Sequence, residues 1–264
     1  MIDEISNYLS DPKTWSGKRT LPIRFLEHLQ YSATALIIAL LIALPLGLLI
    51  GHTGKGAGPV IAVANALRAL PTLGLLFFFV VLLSSQFPGK GDTAFLIPTL
   101  IVLLLLAIPS ILANTIAGIQ NVDPAARDAA FGLGMTRTQV LLRVEAPNAM
   151  PLIMSGIRSA TLQVIATATI AAATPLGGLG RLIFDGLARQ DFGMMIVGAL
   201  LVSLLAIGID LLLAGLGRLI TSRGVTGRFS TKSSAASQGL GTHDRGDDDS
   251  TLAHEMPIEV KARV

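Results

Sequence analysis

The sequence predicts an all-α membrane protein, a polytopic bundle of about five transmembrane helices. Of its 264 residues, 52% are hydrophobic and 14% are charged, whereas soluble domains carry roughly 25% charged residues. The only Asp, Glu, Lys or Arg within the long apolar runs are Arg68, Arg158 and Asp210. Each run is long enough to cross a hydrocarbon core of roughly 30 Å as a helix, and the runs cover residues 29–51, 58–84, 94–119, 149–174 and 194–216.

Composition excludes several classes of site. The net charge of +3 is small and evenly scattered, so we expect no nucleic-acid partner. The absence of cysteine excludes disulfides, thiolate metal sites and a cysteine nucleophile. The four histidines are widely separated, and we therefore expect no metal site; they are His28, His52, His243 and His254.

Residues 1–28 form a polar N-terminal segment ahead of the first apolar run. That run, Leu29–Gly51, exceeds the roughly 7 to 15 residues of a signal-peptide core. We therefore predict a span that stays in the membrane and begins a transmembrane domain of residues 29–220. Pro71, Pro98 and Pro109 interrupt the second and third runs, where proline kinks a helix and marks either a packing kink or a hinge lining a pathway.

Residues 120–148 are amphipathic and charged, and their capping signals predict a helix-turn-helix outside the bilayer. Asp123 is a favourable N-cap, and proline follows it at the first helical position. Gly132 and Gly134 can end that first helix. Thr136 precedes Gln139 by the spacing of a capping box, and the second helix is predicted to stop before the proline at 147.

Two further spans are predicted, at about Pro151–Ala173 and at Met194–Leu216. The glycine-rich stretch Thr174–Gly193 between them fits either a re-entrant segment or an extra helix. Residues 225–264 are rich in Ser, Gly, Asp and Thr and bury too little apolar area to fold, so we predict a disordered tail.

The sequence offers no catalytic machinery. No Gly-Lys pair in the sequence is followed by Ser or Thr, so the phosphate-binding loop that ends in Gly-Lys-Ser or Gly-Lys-Thr is missing. A membrane serine hydrolase would need a histidine within a span, and the predicted spans place His28 and His52 at their edges. We therefore expect a protein that is not an enzyme and binds no cofactor or ATP itself.

Arg68, Arg158 and Asp210 are ionisable residues inside predicted spans, and such residues face the bundle interior or a polar cavity. Pairing of Asp210 with Arg158 or with Arg68 is sterically feasible. The pair would serve as structural glue, or as a gate or substrate contact. We count these residues and Pro71 as candidate pathway or gate residues.

The segment DAAFGLGMTRTQVLLRVEAP, residues 128–147, resembles a motif of the permease subunits of bacterial ATP-binding cassette (ABC) importers. That motif reads E-A-A, three residues, G, nine residues, I-x-L-P, and the spacing fits without a gap. Asp replaces Glu, Val replaces Ile and Ala replaces Leu. The matching positions are Asp128, Ala129, Ala130, Gly134, Val144 and Pro147.

In that family the motif forms cytoplasmic coupling helices that dock on a separate ATPase subunit, which binds the ATP. The resemblance implies coupling helices at about residues 123–146, with Gly132 aiding the turn. It also implies the inner (plasma) membrane, with the N-terminus outside and the C-terminus cytoplasmic. The implied partners are ABC ATPase subunits, a second permease that is the same or paralogous, an extracytoplasmic binding protein and the lipid bilayer. The alternative is an amphipathic hairpin lying on the lipid surface.

Residues 64–76 and 151–187 resemble the glycine betaine, carnitine and choline group of these permeases, whose fold is that of methionine-importer permeases. This implies transport of a small compatible solute, such as glycine betaine, choline, carnitine or a proline-like compound. Quaternary ammonium groups are usually bound in aromatic cages, yet the only Trp and the two Tyr lie away from the span centres. We therefore assign high-affinity recognition to the binding protein.

Two alternatives remain at this stage. Within the same family, the chain would be a permease for methionine or another small amino acid. Outside it, the chain would be a secondary transporter working alone, with Arg68, Arg158 and Asp210 as its ion and substrate site.

Overall fold

The computed structural model describes residues 2–17, 20–84, 86 and 93–220, and the described residues are helical and contain no strand. The predicted tail, 225–264, lies outside them. The helices are α1 (Ile2–Ser10), α2 (Pro12–Trp15), α3 (Leu21–Thr53), α4 (Ala57–Arg68), α5 (Thr72–Ser84), α6 (Thr93–Gln120), α7 (Pro124–Gly132), α8 (Arg137–Val140), α9 (Ala146–Ala168), α10 (Gly180–Arg189) and α11 (Phe192–Ile220). A π turn, Leu141–Glu145, joins α8 to α9, and a 3₁₀ turn, Ile170–Ala173, follows α9.

Four helical stretches of the described chain are long and apolar enough to cross a membrane: α3, α6, the stretch from α8 through α9, and α11. Helices α4 and α5 add a fifth crossing if they form one span, and they meet at an angle of 91°. The predicted polytopic helical bundle is confirmed. Helix α6 is central, because it packs against α3, α4, α5 and α9.

A stripe of small residues on α3 makes the contact with α6. The stripe repeats at about every fourth residue, which is one helix face, and its members are buried: Ala35, Ala39, Ala43, Gly47 and Gly51. A Cβ on Gly47 would lie 2.7 Å from the Cβ of Thr115 on α6. Small residues let two helices approach closely where no hydrophobic effect drives them together.

Substituting Gly47 by Leu is expected to separate α3 from α6, because the first added carbon already overlaps Thr115. The expected loss is about 1–3 kcal/mol or more in the free energy of unfolding. Thermal denaturation in detergent measures it. Gly208→Leu on α11 is the control, since nothing lies within 4 Å of a Cβ there. An unchanged melting temperature in Gly47→Leu would contradict the close contact.

The prolines behave differently from one another. Helix α6 runs unbroken through Pro98 and Pro109. The chain breaks instead at Ala69–Pro71, between α4 and α5. Proline disfavours helical geometry in the residue before it, here Leu70, so α4 ends ahead of Pro71 and α5 begins after it.

Two predicted boundaries were wrong. Helix α3 begins at Leu21, where proline occupies the first turn, so His28 lies inside a membrane-length helix and is fully buried. The second helix of the hairpin does not stop before Pro147. The N–H of Ala146 bonds the carbonyl of Leu141, five residues back, and this widened turn accommodates a proline that lacks a donor.

The glycine-rich stretch contains an additional short helix, α10, which packs on α11. At roughly 15 Å, ten residues are too short to span the bilayer. The turn before α10 is held by Glu27 of α3, whose Oε2 accepts a hydrogen bond from the N–H of Gly178 at 2.8 Å. Gly178 has φ +93°, a conformation that glycine adopts without strain.

The N-terminal segment also folds onto the bundle, since α1 packs against α11. The hydroxyl of Thr14 donates to the carbonyl of Tyr8 at 2.7 Å. Burial against this surface raises the pKa of the Tyr8 phenol above its ordinary value.

Candidate functional site

The hairpin of α7 and α8 is built by the predicted caps. The carboxylate of Asp123 accepts from the N–H of Ala125 at 2.9 Å. The side chain of Gln139 accepts from the N–H of Thr136 at 2.8 Å, and the Thr136 hydroxyl accepts from the N–H of Gln139 at 3.4 Å. The N-cap and the capping box are therefore confirmed. Gly134, with φ +81°, forms the turn between the two helices.

The structure distributes the motif residues over α7, the turn after it and the entrance to the membrane helix α9. Asp128 and Ala129 are exposed on α7, and Ala130 is buried. Gly132 and Gly134 form the exposed tip. The last two motif residues lie where the chain re-enters the bundle: Val144 is in the π turn and Pro147 in the first turn of α9.

Large apolar side chains, which the sequence analysis did not single out, are exposed on the hairpin and on the π turn that follows it. Leu133, between the two tip glycines, is 80% exposed, and Phe131 and Leu142 are also exposed. On a polar hairpin, neighbouring exposed apolar residues mark an interaction surface. The sequence contained this signal, because a leucine at the tip is unexpected in a polar segment predicted to lie outside the bilayer.

A buried ionic cluster lies where the hairpin meets the membrane helices. Glu145, at the end of the π turn, is 2% exposed. Its Oε1 lies 2.7 Å from Nε of Arg127 on α7, and its Oε2 lies 2.6 Å from Nδ1 of His52 on α3. Arg127 also donates through Nη2 to the carbonyl of Ile119 at the end of α6.

The cluster borders a cavity of about 320 Å³ that Lys55 and Arg137 also line. Sequence reasoning missed Glu145 and His52 as site residues. The available signal was a glutamate at the entrance to a membrane helix, where a carboxylate needs a partner.

The membrane-embedded charge pair is formed as predicted. Arg158 of α9 donates from Nε to Oδ1 of Asp210 at 2.9 Å and from Nη2 to Oδ2 at 2.7 Å, a bidentate geometry. The side chains are 40% and 24% exposed on the single chain. Arg158, not Arg68, is thus the partner of Asp210. The role of the pair, either structural stabilisation or a gate or substrate contact, stays a prediction.

Arg68 and Pro71 lie elsewhere, at the break between α4 and α5. Both are exposed, and no hydrogen bond or ion pair found in the described part of the chain joins them to Arg158 or Asp210. The four candidate pathway residues therefore lie at two separate locations in the structure. Within the described ranges, no group of three or more His, Asp or Glu side chains is placed to hold a metal ion.

Residues 43–222 match a protein family described as the binding-protein-dependent transport system inner membrane component. The chain belongs to this family. The predicted membrane permease is confirmed, and the family's role in transport agrees with the lack of catalytic motifs.

Individual relatives in this family are named for osmolyte transport. The glycine betaine/carnitine/choline transport system permease protein OpuCB of Bacillus subtilis is 38% identical over 201 residues, which cover 76% of this chain and 88% of that one. The choline transport system permease protein OpuBB of the same organism is 38% identical over 75% and 88% of the two chains. The osmoprotectant import permease protein OsmW of Salmonella typhimurium is 36% identical over 75% and 91%.

Among solved structures, the chain resembles a chain of the MetNI methionine ABC transporter, with a TM-score of 0.66. The match covers 81% of this chain and 100% of that one, at 20% sequence identity. At this identity the match shows a shared fold, and it agrees with the predicted methionine-importer-like permease fold.

Proposed function

We propose that this chain is the permease subunit of an ABC importer for a small osmolyte, such as glycine betaine, choline or carnitine. The observation that carries the proposal is its 38% identity, over three quarters of its length, to permeases named for these solutes. In this proposal an extracytoplasmic binding protein delivers the solute, and a second permease subunit, the same or paralogous, completes the pathway. ATP is bound by partner ATPase subunits, so this chain is neither an enzyme nor a holder of cofactors.

The hairpin is the proposed docking surface for the ATPase. Its exposed apolar tip suits a protein groove, and Gly134 fixes the angle between its arms. Docking on a cytoplasmic ATPase places the hairpin inside the cell, the N-terminus outside and the C-terminus in the cytoplasm of an inner (plasma) membrane protein. An amphipathic hairpin on lipid would bury the same apolar residues, and disulfide trapping of Leu133→Cys with a cysteine in the ATPase groove distinguishes the two.

The break between α4 and α5 is the proposed pathway-lining element. The carbonyl groups of Ala69 and Leu70 lie outside both helices. Non-helical backbone at membrane depth is tolerated only where protein covers it or water reaches it, and discontinuous helices form the binding sites of many transporters. Arg68 and Pro71 would then lie beside a wet passage.

The chain contains no cysteine, so single-cysteine labelling tests this directly. Leu70→Cys is expected to react with a membrane-impermeant maleimide, because the thiolate forms only where water is present. Leu41→Cys, at an exposed position in the middle of α3, is expected to face lipid and to remain unlabelled. Equal labelling of both, or of neither, would contradict a water-filled passage at the break.

Two alternatives are less well supported. The likeness to the MetNI chain concerns the fold and does not indicate methionine. In the stand-alone secondary transporter, Arg68, Arg158 and Asp210 would form one ion and substrate site, but Arg158 and Asp210 pair with each other and Arg68 lies apart from them at the end of α4.

The test is uptake of labelled glycine betaine, choline, carnitine and methionine in cells that lack their own importers. The permease is expressed with its binding protein, with and without the partner ATPase. Uptake of betaine, choline or carnitine only with the ATPase supports the proposal. Uptake of methionine alone would overturn the substrate class, and uptake without ATPase would overturn the mechanism.

A further inference from the structure

The cluster around Glu145 connects helix α7 to membrane helices that α7 otherwise contacts little. Helix α7 packs on α8 and on the π turn, whereas its contacts with α3 and α6 are sparse in the described part of the chain. The carboxylate of Glu145 reaches α7 through Arg127 and α3 through His52. Arg127 adds a link to the end of α6. One buried side chain thus joins the hairpin to the ends of three membrane helices.

The π turn determines the position of the Glu145 carboxylate. The π turn widens the helix between α8 and α9 and ends at Glu145, and π turns of this kind are frequent at functional sites. Glu145 is almost completely buried, and both of its oxygens have cationic or histidine partners. Removing one member of a buried ionic cluster leaves the others uncompensated. Loss of the Glu145 carboxylate is therefore expected to weaken the position of its partners.

We propose that Glu145 is a positioning residue that makes the hairpin and the cytoplasmic ends of α3, α6 and α9 move as one body. This rests on the proposed function, in which the hairpin receives its movement from the ATPase. Without the carboxylate, the hairpin still docks but pivots on its connecting residues. ATP hydrolysis then proceeds without a matching change in the membrane helices.

The principal test is Glu145→Gln in the complete transporter with its ATPase and binding protein, reconstituted in proteoliposomes. Glutamine preserves the volume but removes the charge that holds Arg127. Assembly and basal ATP hydrolysis are expected to persist, while glycine betaine uptake per ATP hydrolysed falls by roughly tenfold, as expected where the contacts of residue 145 with Arg127 and His52 both weaken. Unchanged uptake per ATP would overturn the proposal.

Asp185→Asn is the matched control. Asp185 pairs with Arg181 at 2.9 Å within α10, so this variant also removes a carboxylate beside an arginine, but away from the hairpin. Its uptake per ATP is expected to equal that of the wild type. If Glu145→Gln fails to assemble, Arg127→Gln removes the link to α7 and leaves the His52 contact in place, and full coupling in that variant would overturn the proposal.

A second readout does not depend on transport. Spin labels at Ala125 of α7 and Leu41 of α3, both exposed, report the distance between hairpin and membrane helix in the full-length chain. Glu145→Gln is expected to broaden the distance distribution, and Asp185→Asn to leave it unchanged. An unbroadened distance distribution would overturn the proposal that Glu145 holds the hairpin to the membrane helices. Absence of ATP-driven uptake by the wild type would overturn only the proposed function.

Discussion

Replacing Gly134 by Val is expected to reduce uptake by roughly tenfold to a hundredfold while the chain still inserts in the membrane. Gly134 has φ +81°, and a β-branched residue in that region is strained by about 1–3 kcal/mol. Each 1.4 kcal/mol changes a population tenfold, so the native angle between α7 and α8 becomes rare. Uptake at equal membrane protein level measures the effect.

Two matched variants separate backbone strain from added bulk. Gly132→Val adds the same side chain two residues earlier, where the backbone is helical and nothing lies within 4 Å of a Cβ. We expect a smaller loss of uptake there, because no backbone strain is added. Gly134→Asn keeps more activity than Gly134→Val, because asparagine tolerates left-handed geometry. Equal loss in Gly132→Val and Gly134→Val would assign the effect to the side chain and contradict the turn.

Substituting Asp210 by Asn is expected to lower the amount of folded protein and uptake by roughly tenfold or more, because it leaves Arg158 without its bidentate partner in the membrane. Arg158→Gln is expected to be milder. A carboxyl group can take up a proton, whereas a guanidinium remains charged. Quantitative immunoblotting and fluorescence-detected size exclusion measure the protein, and uptake measures activity.

The doubly neutral variant, Arg158→Gln with Asp210→Asn, distinguishes the two roles of the pair. Removing both charges leaves no uncompensated group, so protein level is expected to recover. Recovery of uptake as well identifies structural glue, and recovery of protein without uptake identifies a gate or substrate contact. Wild-type level and uptake in Asp210→Asn alone would contradict both roles.

The sequence predicted those features that depend on local chemistry or on polarity along the chain. Apolar length located the spans, because charged groups are excluded from the hydrocarbon core. The Asp123 cap and the Thr136 capping box were predictable from neighbouring residues alone. The pairing of Asp210 with an arginine followed from the cost of leaving either group alone in the membrane.

Other features depend on contacts between distant residues and were missed or wrong. The helical segment from Leu21 to His28 carries polar residues that distant parts of the chain satisfy: Glu27 accepts a hydrogen bond from Gly178, 151 residues away. Pro147 looked like a helix stop, and only the π turn explains why the helix continues. The Glu145 cluster joins residues from three separate segments, which no local pattern reveals.

The most direct test of the account is transport by the purified complex in proteoliposomes, with ATP supplied on the hairpin side and an ion gradient imposed separately. We expect glycine betaine to move only when the partner ATPase hydrolyses ATP, and not with a hydrolysis-deficient ATPase under any gradient. Transport by this chain without the ATPase, driven by an ion gradient, would contradict the central claim that its hairpin receives the driving movement from a partner.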